Sequence, residues 1–478
     1  MIKDRVENLP VQVKASFWFM ICLFLQRGIS AITTPIFTRL LSTSDYGVYG
    51  AYTSWLEIFT VLVTLNLFSG VYTQGLVKFQ KEREQFASAM QVLVLLLSAG
   101  WTILYALLRP VLNGLLSLTT WQMTGMLVTI WCEAAFSLWA GEQRVRYAYR
   151  ALIIVTLIAS VCKPLFGILL ILRFPGEAAT ARIWGVALAD LLCYAWLFFF
   201  QTGKGGLHGL GKWWRYAISY NVVLIPHFLS QIIMFSADRI MIRDMVGASE
   251  AGIYDLANTI SNIMAMFNSA ILQTINPWIY EKIRDKEVQR IEQISDPALI
   301  IIALVNLVLI AFAPELVFLF APAAYHDAIW VIPPIAMGVF FRFSYNLFAD
   351  FTLYYERVGR VAVASVIGAI VNITLNLLLI PRFGYFAAGY TTLISFMVYA
   401  VMHFIFMTDI CKTQLQMRQP YSVRFLLGVT VLFLAAGFLF TVSYLYLPLR
   451  IGMITVFAVG LLWNRKRIMA LAKPFLRS

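Results

Sequence analysis

Residues 44–49 read Ser44-Asp45-Tyr46-Gly47-Val48-Tyr49 (SDYGVY), and residues 249–254 read Ser249-Glu250-Ala251-Gly252-Ile253-Tyr254 (SEAGIY). The two stretches stand 205 residues apart, and at that offset the likeness continues into the residues beyond each copy. Thr53, Glu57, Thr60 and Thr64 step by four, three and four residues, which is one face of a helix. Their counterparts are Asn258, Asn262, Ala265 and Ser269, again mostly polar. Farther on, an offset of 209 aligns Trp121 with Trp330, Leu138 with Leu347, and Leu169-Leu170-Ile171 with Leu378-Leu379-Ile380, so one four-residue insertion accounts for both blocks. The chain contains a long unit written twice.

Composition identifies the nature of that unit. Hydrophobic residues make up 60% of the chain, charged residues 13%, and the mean hydropathy is +0.78, far from the roughly 25% charge of an ordinary soluble domain. Apolar runs of about 20 residues, enough to cross a hydrocarbon core as helices, recur near 15–36, 48–69, 88–108, 121–140, 151–172, 183–201, 217–238, 253–276, 294–313, 330–350, 361–380, 386–407, 423–442 and 448–463. They are continuous, unlike the alternating strands of a membrane barrel. The sequence predicts an all-α polytopic membrane protein with about fourteen transmembrane helices. Two six-helix lobes form a parallel, pseudo-twofold repeat, because an even number of spans returns the chain to the same side. The boundaries read as 1–201 for the first lobe, 202–216 for a cytoplasmic linker, 217–407 for the second lobe, and 408–478 for two added helices and a basic tail.

Alternate loops carry most of the 37 Lys and Arg, among them Lys78, Lys81 and Arg83, Arg144, Arg146 and Arg150, and Lys282, Arg284, Lys286 and Arg290. Basic loops stay on the cytoplasmic side, so both termini are expected there, while Arg39, Arg109, Arg182, Arg239 and Arg450 fall in outside segments. The first run is longer than a signal peptide and lacks its cleavage pattern. In SDYGVY and its copy, Ser with Asp or Glu reads as a helix start, Gly as a relaxed turn and Tyr as an interfacial anchor.

Several chemistries are excluded. The five cysteines have no metal-ligand or disulfide spacing. Gly206 to Lys212 satisfies G-x-x-x-x-G-K, but Trp213 stands where a phosphate loop needs Ser or Thr, and the stretch reads as linker. The net charge of +13 is a topology signal, with no soluble module to bind nucleic acid. No catalytic group and no metal site emerge.

Charges inside spans cost about 2.5–3.5 kcal/mol each and face a bundle interior or a wet cavity. Here they are Arg27, Glu57, Glu133, Lys163, Asp190, Arg342 and Asp350. Arg27 and Lys163 lie on polar stripes and are read as anion binders, since Arg offers a planar donor fork and Lys a point charge. Glu57, Thr60, Asn262, Asn372 and Asn376 are read as a path for polyhydroxyl groups. Glu133 aligns with Arg342 across the repeat, and the two are expected to pair as a gate. Asp190 and Asp350, with those two, are candidates for gating or for H+ or Na+ coupling.

Three stretches carry a resemblance. Pro35-Ile36-Phe37-Thr38-Arg39-Leu40-Leu41 leads into SDYGVY; Ile225-Pro226-His227 and Asp238-Arg239 precede SEAGIY; and residues 354–389 read YYERVGRVAVASVIGAIVNITLNLLLIPRFGYFAAG. Together they resemble Wzx-type polysaccharide flippases of the multidrug/oligosaccharidyl-lipid/polysaccharide exporter superfamily. The resemblance implies two lobes in a V, two extra C-terminal helices, and alternating-access transfer of an undecaprenyl-pyrophosphate-linked oligosaccharide across the bacterial cytoplasmic (inner) membrane, for O-antigen or similar lipopolysaccharide synthesis. It also implies membrane lipids as surroundings, a polysaccharide polymerase and chain-length machinery as partners, and no resident cofactor. The alternatives are a cation-coupled drug or metabolite antiporter on the same fold, and a membrane-embedded glycan polymerase or ligase.

Overall fold

The computed structural model describes residues 11–207 and 209–466. Among them are eighteen α-helices joined by short turns, with no strand. Contacts divide the chain into two units, 1–232 and 233–478. The expected positions of the chain ends lie outside the described residues.

The first unit contains α1 (Val11–Leu40), α2 (Thr43–Thr64), α3 (Val71–Lys78), α4 (Arg83–Leu116), α5 (Thr120–Val145), α6 (Tyr149–Arg173), α7 (Ala178–Gly205), α8 (Leu210–Val222) and the first part of α9 (Ile225–Met245). The second contains the rest of α9, then α10 (Ala248–Ser261), α11 (Ile263–Arg284), α12 (Glu292–Ala311), α13 (Ala313–Phe320), α14 (Ile332–Tyr354), α15 (Val358–Phe383), α16 (Phe386–Ile410), α17 (Val423–Ser443) and α18 (Leu447–Trp463).

Each of the fourteen apolar runs lies largely on helix, although that at 48–69 leaves it after Thr64 and that at 217–238 is interrupted between Val222 and Ile225. By length and apolarity, nine of the described helices can cross a membrane, or eleven if the bent pairs α8/α9 and Ala323–Trp330/α14 each count as one span. The segments outside that count have physical reasons to be there. Helix α2 carries the Thr and Glu stripe, the run at 253–276 is broken at Asn262 into α10 and α11, and α18 has only 17 residues.

The helix starts differ from the sequence reading. Ser42, not Ser44, caps α2: its hydroxyl accepts from the Asp45 N–H at 3.0 Å and donates to the Asp45 carboxylate at 2.6 Å. In the second copy Gly247 holds the cap position without a side-chain bond. The motif's tyrosines are not simple anchors at an interface either. Tyr46 and Tyr254 are each only 3% exposed.

Helices carry internal prolines without ending at them. Both α1 and α6 run on through Pro35 and Pro164. Helices α6 and α7 cross where two glycines meet, since a Cβ on Gly185 would come within 2.5 Å of the Gly167 backbone. Farther along α7, Gln201 donates to Glu142 of α5 at 2.6 Å and accepts from Gln91 of α4 at 2.6 Å, a buried ladder of polar side chains joining three helices.

The Gly-rich connector is shorter than its sequence reading. Helix α7 extends to Gly205, Gly206 and Gly209 take φ of 70° and 66°, and α8 begins at Leu210. Trp213 and Ala217 of α8 pack into a core with Leu76 and Phe86, and Asn221 donates to the carbonyls of Leu65 and Asn66 at 2.9 and 2.8 Å. This apolar face fixes α8 to the first unit.

In the second unit α14 is buried almost end to end and packs against α16 and α12. Phe433 of α17 meets Phe340 of α14 at 4.6 Å, and the Tyr444 hydroxyl donates to the Ile310 carbonyl of α12. Charged loops pair with loops of the same predicted side: Glu84 with Arg146 and Glu82 with Lys212 on one, Glu315 with Arg450 on the other.

Candidate substrate cavity

The first unit lines an open cavity of about 800 Å³. Helix α1 contributes Leu23, Gln26, Arg27, Ser30, Thr33 and Phe37, positions three or four residues apart and therefore on one face. Helix α2 contributes Tyr49, Thr53, Leu56, Glu57 and Thr60 by the same periodicity. Glu133 comes from α5, Ser160, Lys163 and Pro164 from α6, and Arg182 and Val186 from α7. Five predicted residues, Arg27, Glu57, Thr60, Glu133 and Lys163, therefore meet in one space.

The hydroxyls of its wall are oriented. Thr60 donates to the Leu56 carbonyl at 2.7 Å, Thr53 to that of Gly50 at 2.7 Å and Ser160 to that of Thr156 at 2.7 Å. With their protons used on their own helices, these oxygens present lone pairs, which suit the hydroxyl donors of a sugar.

Lys163 is held by two carboxylates. Its Nζ lies 2.8 Å from Glu133 Oε1 and 2.9 Å from Asp190 Oδ1, and 5.5 Å from the centre of the Tyr194 ring. Glu133 and Lys163 keep part of their surface, whereas Asp190 has none, and its Oδ2 has no hydrogen-bond partner among the described residues. The three formal charges sum to −1, so an incoming anion competes with two carboxylates for Lys163. Arg27 is different: it is exposed on the cavity wall, and none of the ion pairs among the described residues involves it.

Each of the two residues expected to form a gate has a partner within its own unit. Glu133 is engaged by Lys163 one helix away, and Arg342 stacks over Phe235 with 4.4 Å from its guanidinium carbon to the ring centre.

In the second unit the amides are buried. Asn372 and Asn376 have no exposed surface. Asn376 donates to Asp238 Oδ1 at 2.6 Å and accepts from Thr391, while Tyr254 at 2.6 Å and Thr392 both donate to Asp238 Oδ2. Asn372 accepts from Asn376 at 3.3 Å. A charge placed in a helical core needs this number of donors; Asn376 is one of them, and Asn372 braces it and donates to Thr392 at 3.4 Å, so neither amide faces a wet surface. Asn262 is half-buried at the α10/α11 break and donates to Asn258 at 3.0 Å. Asp350 is 2% exposed, and Asn276, with its amide nitrogen turned toward it, donates to Oδ2 at 3.1 Å.

Two residues escaped the sequence reading. Asp238 sits in α9, beyond which the helix continues to Met245, whereas the apolar run ended at 238 and left the residue at a margin. Arg182 was assigned to an outside loop, but α7 begins at Ala178. Positions 182, 186 and 190 are four apart, the one signal that placed Arg182 on the face of Asp190.

Residues 13–283, more than half of the chain, match the family described as polysaccharide biosynthesis protein. The chain belongs to that polysaccharide biosynthesis protein family. The matched segment includes every residue that lines the cavity. Over 175 residues the chain is also 23% identical to the probable low-salt glycan biosynthesis flippase Agl15 of Haloferax volcanii, a stretch covering 36% of this chain and 37% of that relative. Among solved structures, the lipid II flippase MurJ in an inward closed conformation superposes with a TM-score of 0.70 at 12% identity, covering 94% of this chain and 99% of that one. An inward-facing multidrug resistance MATE family transporter of the MOP superfamily gives 0.64 at 11% identity, covering 81% and 96%. At these identities the polysaccharide biosynthesis family member shares their fold. It is a multi-pass membrane protein.

Proposed function

We propose that the chain is a flippase that transfers a lipid-linked oligosaccharide across a membrane by alternating access. The observation that carries this reading is the cavity of about 800 Å³, whose wall combines Arg27, Lys163 and Arg182 with a row of hydroxyl acceptors. Cations serve a diphosphate and oxygen lone pairs serve sugar hydroxyls. The fold shared with a lipid II flippase and the similarity to a glycan biosynthesis flippase support it.

In this reading the substrate is an undecaprenyl-pyrophosphate-linked repeat unit on its way to O-antigen or a similar surface polysaccharide. Transport runs from the inner to the outer leaflet of a bacterial cytoplasmic membrane, with both chain ends inside and lobes divided near residues 201–217. Arg27 and Lys163 receive the pyrophosphate, while Glu57, Thr60 and Asn262 line the sugar path. The lipid tail remains in the bilayer, and the delivered unit passes to a polymerase and its chain-length partner. Glu133 and Asp190 offer the coupling site: two carboxylates share one lysine, so a proton or Na+ bound there releases Lys163 to the phosphate. In the second half Arg342, which aligns with Glu133, and Asp350 are further candidates for gating or coupling.

The test is transfer of a polyprenyl-pyrophosphate disaccharide in proteoliposomes. Arg27→Ala should slow it at least tenfold, about 1.4 kcal/mol, and a variant transferring at the unaltered rate would refute the assignment. Export of cationic drugs at rates exceeding glycan transfer would favour the antiporter reading, to which the acidic wall residues Glu57 and Glu133 would belong.

A further inference from the structure

Arg182 is built into the cavity in a way that its neighbours do not explain. Its guanidinium carbon lies 4.0 Å from the centre of the Phe37 ring and 3.7 Å from that of Tyr49, with Tyr46 at 5.2 Å. The planar group is held on both faces by aromatic rings, which fix its orientation and leave its edge as the only hydrogen-bonding direction. Nη1 is buried with no hydrogen-bond partner among the described residues. The stem passes Gly167, where an added Cβ would sit 3.2 Å from Phe37 and 4.0 Å from Arg182 Cγ, so the glycine leaves room for the sandwich. Arg182 is half-buried, and the one guanidinium nitrogen that is withdrawn from water without an acceptor is costly, while the fork it belongs to matches the two oxygens of a carboxylate or phosphate.

Its position separates it from the other cations. Arg182 and Asp190 are eight residues apart on α7, about 12 Å at 1.5 Å per residue, and Lys163 is bonded at the Asp190 level. The cavity wall thus carries cationic groups at two levels, about two turns of α7 apart.

We propose that Arg182, in its aromatic sandwich, is a second oxyanion subsite of this cavity and takes an acidic group carried on the sugar portion of the substrate. The inference rests on the flippase reading and narrows it: the repeat unit is an acidic oligosaccharide, with a carboxylate or a phosphate on a sugar at some distance from the lipid diphosphate.

Three polyprenyl-pyrophosphate disaccharides differing only in the terminal sugar, as glucose, glucuronate or glucose 6-phosphate, are competed for transfer in proteoliposomes. The unaltered protein should prefer an acidic probe over the glucose probe by about tenfold or more, the worth of one charge-assisted contact. Preference for glucuronate assigns a carboxylate, and preference for the phosphosugar a phosphate. Arg182→Gln should bring the ratio to about one, and Arg182→Lys should restore part of it. Tyr49→Leu, which keeps the charge but removes one face of the sandwich, is the second variant and should lower the ratio by a smaller factor. Equal transfer of all three probes by the unaltered protein, or a preference that survives in a folded Arg182→Gln, overturns the proposal while leaving the flippase reading in place. If no probe is transferred, the flippase reading fails and this inference fails with it.

Discussion

Lys163 Nζ lies 2.9 Å from Asp190 Oδ1, a carboxylate without exposed surface at the crossing of α6 and α7. Removing one partner of a buried ion pair strands the other, at a cost of about 3–5 kcal/mol, whereas removing both is far milder. Lys163→Met should therefore lower the melting temperature in detergent, and Asp190→Asn added to it should recover most of the loss. Equal stability of the single and double variants would show that Asp190 without its lysine is not a stranded buried charge.

The same crossing predicts a steric result. Gly185→Ala places a methyl 2.5 Å from the Gly167 backbone, where neither helix can yield locally. Overpacking of this kind costs about 1–3 kcal/mol. Gly203→Ala, with nothing within 4 Å, is the matched control and should melt with the parent protein.

The Asp238 carboxylate collects the donors of Tyr254, Asn376 and Thr392. Asp238→Ala leaves those buried donors without an acceptor, each at about 1–3 kcal/mol, and should abolish stable expression. Asp238→Asn keeps one acceptor and should express with a lowered melting temperature. An alanine variant as stable as the asparagine one would mean that the donors find other acceptors.

Ser42 bonds both the backbone N–H and the carboxylate of Asp45 at the start of α2. Ser42→Ala should cost about 1 kcal/mol, the usual worth of a cap. Ser44→Ala, one residue inside the helix, should cost less, and thermal unfolding of the two variants side by side distinguishes which serine starts the helix.

The apolar runs alone determined that this is a helical membrane protein, because a bilayer leaves backbone groups no partner outside a helix or a closed barrel. The 205-residue offset likewise exposed its duplication. Periodicity also found Arg27, Glu57, Thr60 and Lys163, since charges at helical spacing must share a face and a membrane face cannot carry them into lipid. What periodicity cannot give is the neighbour on another helix. Only tertiary packing decided that Lys163 answers Glu133 and Asp190, and that Asn372 and Asn376 turn inward around Asp238 and its donors.

SDYGVY and SEAGIY show the division most directly. Sequence made their final tyrosines equivalent, yet Tyr49 lies against the Arg182 guanidinium at 3.7 Å and Tyr254 donates to Asp238 at 2.6 Å. The repeated letters fixed the turn and the helix beyond it. Which charge each tyrosine meets was decided by the residue that another helix presents there, Asp238 on the preceding helix for Tyr254 and Arg182 far along the chain for Tyr49, a relation that no local pattern records.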